Sequence, residues 1–335
     1  MTRRALVVTH GGRSEAVLAM REAVQELEAA GVEPVVVDED ATAHDLPEVE
    51  IAVVLGGDGT ILRAAELTRA CGIPLLGVNL GHVGFLAESE RDDVGEAVRR
   101  VTAGDFTVEE RMTIAVRVQA PDGRVVHDWA LNEAALEKGE SRILEVAVEV
   151  DGRPLSSFGC DGIVTATATG STAHAFSAGG PVVWPDVDGM ILVPMSAHAL
   201  FARPLVVGPR STLAIEVLDR SPAAGLLTCD GRRRLEVPRG SRVEITRSPV
   251  PVRLARLTPA PFTTRLVNKF ALPVEGWRGR ATAHAAAPAR ETAVREAVLP
   301  DAPSPGPAPD AVLDPAREPA LDPVLRDGIT RGGGA

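Results

Sequence analysis

The fold of this chain is read from Ile51-Ala52-Val53-Val54-Leu55-Gly56-Gly57-Asp58-Gly59-Thr60-Ile61-Leu62-Arg63-Ala64-Ala65. The apolar run Ile51–Leu55, bounded by a glycine pair, predicts a short buried strand. Ile61 to Ala70 has helix-forming composition, with Ile61, Leu62, Ala65 and Leu67 facing inward. Strand, Gly-rich turn and helix make the arrangement in which N–H groups at a helix N-terminus hold an anion. Gly56, Gly57, Gly59 and Thr60 form the expected phosphate loop, the glycines letting backbone approach the ligand closely. Asp58 needs its own explanation. A carboxylate there repels phosphate unless it holds a metal ion or takes a proton from an attacking hydroxyl. The turn is neither a Walker loop, since no Gly-Lys-Ser/Thr follows, nor a Gly-x-Gly-x-x-Gly fingerprint. A tight turn capped by Asp58 is the plainer alternative.

Outward from this stretch, short strands and helices alternate. Ala5–Val8 reads as a strand and Thr9–Arg13 as its turn. Ser14–Ala30 reads as a helix with Val17, Met20, Val24 and Leu27 inward, and Gly31 stops it. Val35–Val37 is a second strand; Asp38–Glu50 is an acidic connection containing Pro47. Ile73–Val78 is a strand ending in a second Gly-rich loop, Asn79–Phe85, and Asp92–Ala103 a helix. The pattern predicts a doubly wound, Rossmann-like parallel sheet with both loops at the carboxyl ends of its strands, facing one site.

The texture then changes. Thr113–Gln119, Val125–Ala130, Ile143–Val150, Gly162–Ala168, Thr212–Val217, Gly225–Cys229 and Arg242–Thr246 are short β-rich runs between turn signals. The expected organisation is an α/β nucleotide-binding domain over 1–111 and an all-β sandwich over 112–261. A helical segment at 262–280 packs back on the first domain, and an Ala- and Pro-rich disordered tail covers 281–335.

Composition narrows the function. The chain has 335 residues, 45% hydrophobic and 24% charged, which is the composition of a globular protein. A formal net charge of −11 argues against a general nucleic-acid binder. Cys71, Cys160 and Cys229 are widely spaced, so reduced thiols are expected rather than a disulfide framework or a zinc site. The N-terminal apolar run is too short for a signal peptide, and no stretch approaches membrane-spanning length. The cytoplasm and no membrane partner are the expectation.

Two further constellations carry chemistry. Asn132-Glu133 closes the strand Val125–Ala130; an adjacent amide and carboxylate can receive the hydroxyls and amino edge of a nucleoside, or simply form a turn. Cys160-Asp161-Gly162 precedes Thr169-Gly170-Ser171-Thr172-Ala173-His174-Ala175-Phe176-Ser177-Ala178-Gly179-Gly180-Pro181. Small hydroxyl residues among glycines let backbone lie flat against a planar or phosphorylated ligand.

Together, Gly56-Gly57-Asp58-Gly59-Thr60, Leu131-Asn132-Glu133, Gly170-Ser171-Thr172-Ala173 and Gly179-Gly180-Pro181 resemble the NAD kinase family, in its actinobacterial form, over roughly residues 1–280. The resemblance implies transfer of the ATP γ-phosphoryl group to the 2′-hydroxyl of the adenosine ribose of NAD, giving NADP. It implies Mg²⁺ on the ATP phosphates, with no metal ligand assigned directly, and a homodimer or homotetramer. Whether polyphosphate replaces ATP, or NADH is accepted, it leaves open. Asp58 matches the family's general base, and Gly59 would lie against the ligand through its backbone. Arg63 would counter phosphate charge or be a solvated helix arginine. Phe85 would flank the adenine, Asn132 and Glu133 would hold the adenosine, and Thr172, Ala173, His174, Ala175, Phe176 and Ser177 would line the NAD site. Asp161 would contact the nicotinamide end, across a subunit interface in one version. Arg142 and Arg232 fall where some members contact NAD, though Arg142 also reads as a plain surface arginine.

Three positions depart from the pattern. His174 replaces a usual tyrosine, Ala168 a usual proline and His82 a usual basic residue; the chain has no tyrosine. Weakened or altered NAD binding is expected rather than lost chemistry. A lipid kinase shares only the first motif, and an idle dinucleotide sensor would keep binding without turnover.

Overall fold

A computed structural model of the chain describes residues 2–9, 14–37, 41–42, 46–81, 84–90, 93–258 and 261–274. His82, most of the turn after Thr9 and the expected tail over 281–335 lie outside the described residues. In chain order come β1 (Arg4–Thr9), α1 (Ser14–Ala29), β2 (Glu33–Val37), β3 (Ile51–Leu55), α2 (Asp58–Thr68), β4 (Leu75–Asn79), β5 (Ser89–Glu90), α3 (Val94–Thr102) and β6 (Thr107–Arg111). Next are β7 (Ile114–Gln119), β8 (Val125–Ala130), β9 (Glu133–Lys138), β10 (Leu144–Val150), β11 (Arg153–Cys160), β12 (Gly162–Thr167) and the short helix α4 (His174–Ser177). β13 (Met190–Met195), β14 (Leu205–Val207), β15 (Leu213–Val217), β16 (Gly225–Cys229), β17 (Arg233–Val237) and β18 (Arg242–Arg247) follow, then β19 (Val252–Arg256) and α5 (Phe262–Phe270).

All five residues of β3 are buried, as a continuous apolar run between helical layers requires. The first sheet has the order β2-β1-β3-β4-β19-β6, with β5 beside β4. β1, β2, β3 and β4 are mutually parallel. From β1 the chain winds through α1 out to β2; from β3 it winds through α2 the other way to β4. A crevice therefore opens between the carboxyl ends of β1 and β3, where the winding reverses. One face of the sheet packs on α1 and α3 through Ala19, Ala23, Leu27, Val94 and Val98. The other packs on α2 through Ile61, Leu62, Ala64, Ala65 and Leu67, together with Leu131 from the β-rich part.

The inward face of α1 differs from the one expected. Ala16, Ala19, Ala23 and Leu27 are buried, whereas Val17 is 40% exposed. Small residues let α1 lie close to both the sheet and α3, and this close packing outranks side-chain hydrophobicity.

Two antiparallel sheets, β11-β10-β15-β18-β7-β8 and β14-β13-β12-β9-β16-β17, make the sandwich. One core fills the space between them, with Ile114, Val146, Ile215 and Val243 from the first sheet facing Leu136, Ile163, Leu192 and Leu227 from the second. Cys160 and Cys229 are buried in this core as free thiols, and Cys71 is exposed. The expected boundary at 261/262 falls too late, since Val252–Arg256 already pairs with β4 and β6 of the first sheet. Asn132-Glu133 also needs correction: Glu133 does not close β8 but starts β9, a central strand between β12 and β16.

Candidate active site

Gly57 caps α2 in extended conformation, so Asp58 is the first residue of the helix. A carboxylate in a first turn is favoured by the helix dipole. Asp58 Oδ2 accepts the Phe85 N–H and Oδ1 the Leu86 N–H, both at 3.1 Å. The carboxylate plane is thus set by the loop after β4, and lone pairs on both oxygens remain for a substrate. Gly84 is required next to it, because a Cβ there would collide with the Asp58 carboxylate.

A cleft of about 540 Å³ opens in front of Asp58. Its walls include Thr9 from β1, Gly56, Gly57, Asp58, Gly59 and Thr60 from the turn, Asn79 from the end of β4 and Gly81 from the loop after it. The N–H groups of Asp58 and Gly59 have no carbonyl one turn behind them, so they are donors for an anion. Arg63, Arg232 and Lys269 line the same cleft, and Asp58 is the one acid on its described walls. Arg63 is no solvated helix arginine: it pairs with Glu66 at 2.7 Å and its other amino group donates to the Ala41 carbonyl. A larger cleft of 770 Å³, lined by Arg111, Trp184, Arg256 and Phe262, contains none of the expected site residues.

The second cluster is buried. Asn132 and Glu133 are 9% and 6% exposed. Gly170 lies against them so closely that a Cβ would collide with the Asn132 carbonyl. Thr167 locks the corner: its N–H donates to Asn132 O at 2.9 Å and its hydroxyl to Leu131 O at 2.5 Å, while it accepts the Gly170 N–H at 3.1 Å. The His174 N–H donates to the Glu133 carboxyl. Glu133 Oε2 is buried with no partner among the described residues. Burial, then the nearby Asp230 carboxylate, pushes the Glu133 carboxyl up to about 7. Ala168 keeps φ at −57°, inside the range proline would impose, so the turn survives without it.

Aromatic rings of α5 join the two clusters. Phe85, 8% exposed, packs against Phe262 at 5.8 Å and Phe270 at 6.0 Å, and Phe270 meets Phe176 at 4.7 Å. Thr172, Ala173 and His174 are half-buried, and Phe176 and Ser177 are exposed. Ala175 is a correction: it is fully buried against Val164, Ile191 and Val193, so its side chain cannot line a ligand. Arg142 is exposed in the turn before β10 and does not line the cleft. Asp161 does not line it either; it pairs with Lys138 at 2.5 Å, and that bond, helped by Ser196, holds its carboxyl below the usual range. Within one chain these two stay outside the cluster.

Asp230 was not among the expected residues. At the β16–β17 hairpin Asp230 and Gly231 take left-handed φ of 49° and 69°. This turns the Asp230 carboxylate onto the Leu131 and Asn132 N–H groups at 3.0 and 2.7 Å. Arg233 ties Asp230 to Glu66 of α2 through contacts of 3.1 and 2.6 Å. The Asp-Gly pair signals the hairpin in the sequence, but the carboxylate's target lies far up the chain.

The comparisons with known proteins fall on the same regions. The family model for the ATP-NAD kinase N-terminal domain matches residues 6–106, and that for the ATP-NAD kinase C-terminal domain residues 131–257. An NAD kinase of Leifsonia xyli subsp. xyli is 57% identical over 292 residues, covering 82% of this chain and 96% of that protein. An NAD kinase of Thermobifida fusca is 58% identical over 288 residues, covering 83% and 88%. Among solved structures, an NAD kinase from Archaeoglobus fulgidus in complex with ATP aligns with a TM-score of 0.62 at 28% identity, covering 80% of this chain and 98% of that one.

Proposed function

This chain belongs to the NAD kinase family, and on that premise we propose how its residues transfer the ATP γ-phosphoryl group to the 2′-hydroxyl of the adenosine ribose of NAD. One observation carries the reading. The Asp58 carboxylate, oriented by two N–H groups, is the one acid on the described walls of a cleft that also offers helix N–H donors and three cationic side chains. Asp58 accepts the proton of the 2′-hydroxyl as that oxygen attacks the γ-phosphorus. The bond from the γ-phosphorus to the bridging oxygen breaks, and ADP leaves. Asp58 and Gly59 N–H groups, Arg63, Arg232 and Lys269 face the phosphates; positioning and charge neutralisation are the main work in such a transfer.

Glu133 receives adenosine hydroxyls through its unpartnered oxygen, with Asn132 beside it and Asp230 setting the backbone of both. His174, Phe85 and Phe176 supply flat surface for the base. Among the described residues no three His, Cys, Asp or Glu side chains converge into a metal cage. Mg²⁺ would arrive on the triphosphate, with Asp58 as the adjacent carboxylate. Bound there, the ion would neutralise charge on the transferring group. Asp161, which is not on the described walls of the Asp58 cleft, fits a role toward the nicotinamide of a neighbouring subunit. The exposed apolar side chains Leu200, Phe201 and Val206 support self-association as a dimer or tetramer. No helix among the described residues is long and apolar enough to cross a membrane, and we place the reaction in the cytoplasm.

The test is NADP formation from NAD and Mg-ATP by the purified protein, with Asp58→Asn alongside. Turnover lost in the variant supports the reading. NAD binding without wild-type turnover would favour a sensor, and no NAD binding would direct the search to lipid substrates.

A further inference from the structure

We propose that Arg265, on α5, is a positioning residue for the transfer: it clamps the peptide segment that orients the Asp58 carboxylate. The proposal rests on Asp58 being the base. Phe85 and Leu86 are held from both sides. Their N–H groups donate to Asp58, and their carbonyls are taken by arginines from the C-terminal part of the chain. Arg265 Nη1 donates to Phe85 O at 2.8 Å, and Arg256 Nη1 to Leu86 O at 3.1 Å.

Glu88 fixes both arginines. Its side chain is 1% exposed and meets Arg265 Nη2 at 2.9 Å and Arg256 Nη1 at 3.1 Å. It also accepts the N–H groups of Leu257 and Thr258, at 3.0 and 2.8 Å, where the chain leaves β19 for α5. A guanidinium presents donors in a rigid plane, so Arg265 joins the Phe85 carbonyl to the Glu88 carboxylate in a way no single-headed side chain can.

Arg256 is part of β19 and also pairs with Glu109 at 2.5 Å, so its loss would disturb the sheet as well as the loop. Arg265 stands on the helix itself. Lys269, one turn further on the same face, lines the Asp58 cleft. α5 thus reaches the cleft with one cation and the back of Asp58 with another. A loop whose carbonyls were free to turn would let its N–H fork swing, and small misplacements of a reacting group cost large factors in rate.

The experiment compares Arg265→Met and Arg265→Gln with wild type, Asp58→Asn and Trp184→Ala in steady-state NADP formation and thermal unfolding. Trp184 packs edge-on against Phe262 of α5 with ring centroids 5.0 Å apart and donates to neither Phe85 nor Glu88, so its loss loosens the helix and leaves the clamp's own bonds in place. R265M is expected to lower kcat about 10-fold or more while KM for NAD moves by less than about 3-fold. R265Q, which can reach one of the two acceptors, should fall between R265M and wild type. W184A should lower Tm and keep kcat. Folded R265M with wild-type kcat would overturn the proposal while leaving Asp58 intact if D58N is dead. If R265M does not fold, wild-type kcat in R265Q overturns it instead. No NADP from the wild-type protein would remove the underlying reading and the clamp with it.

Discussion

Asp58 is half-exposed with both carboxylate oxygens bonded to N–H groups, whereas Glu133 is 6% exposed with one oxygen unpartnered. The first sits on a strand-turn-helix unit built from neighbours in sequence. The second sits at a corner where β9, the loop after β12 and the β16–β17 hairpin meet. An oriented, solvent-accessible carboxylate suits proton transfer during turnover. A desolvated one with an open acceptor suits binding, because a buried group left unpaired costs about 1–3 kcal/mol until a ligand satisfies it. On the proposed reading, the two acids therefore divide reaction from recognition by their surroundings.

The largest expected effect tests the reaction side. Asp58→Asn should lower kcat by about 100-fold or more, with KM for NAD changed by less than about 3-fold. A variant keeping more than about a tenth of wild-type turnover would end the distinction between the two acids. Glu133→Gln tests the recognition side and should act on KM, raising it by about 3- to 10-fold at pH 8.

The Glu133 carboxyl, pushed up to about 7, is mostly protonated at pH 6 and ionised at pH 8. The ionised form is the better acceptor for ribose hydroxyls, so wild-type KM for NAD should fall as pH rises through this window and stay flat in E133Q. Stability follows the opposite sign. A raised folded-state pKa gives a contribution fully present below the unfolded value near 4.5 and lost as pH rises through about 7. E133Q should therefore gain Tm relative to wild type at pH 8 but not at pH 5, as calorimetry would show.

Smaller changes refine the recognition wall. His174→Tyr should lower KM for NAD by about 2- to 5-fold by enlarging the stacking surface, and an unchanged KM would remove the stacking role. Ala168→Pro suits the observed φ and should raise Tm by about 2 °C, by stiffening the unfolded chain, with kcat unchanged.

Much of this was legible from residue order. β3, the turn and the start of α2 follow from an apolar run, a glycine pair and helix formers. Other strands were missed for physical reasons. β9, Glu-Ala-Ala-Leu-Glu-Lys, is made of helix formers and becomes a strand because two neighbours pair with it. β13 contains Pro194, tolerated because β14 pairs only with Met190–Leu192 and leaves that side open. β11 and β17 are edge strands, whose polar outer residues mask the alternation.

The sequence by itself determined the chemistry at hand: which acid follows the glycines, which amide-acid pair follows β8 and which small residues surround Gly170. Those are local patterns of residue type, and their meaning survives without coordinates. Only the tertiary structure decided what holds each acid in place. Asp230 acts on Asn132 from 98 residues away, and Arg265 on Phe85 from 180. Contacts of that span carry no sequence period, since they arise where separately folded layers meet and buried polar groups there must find partners.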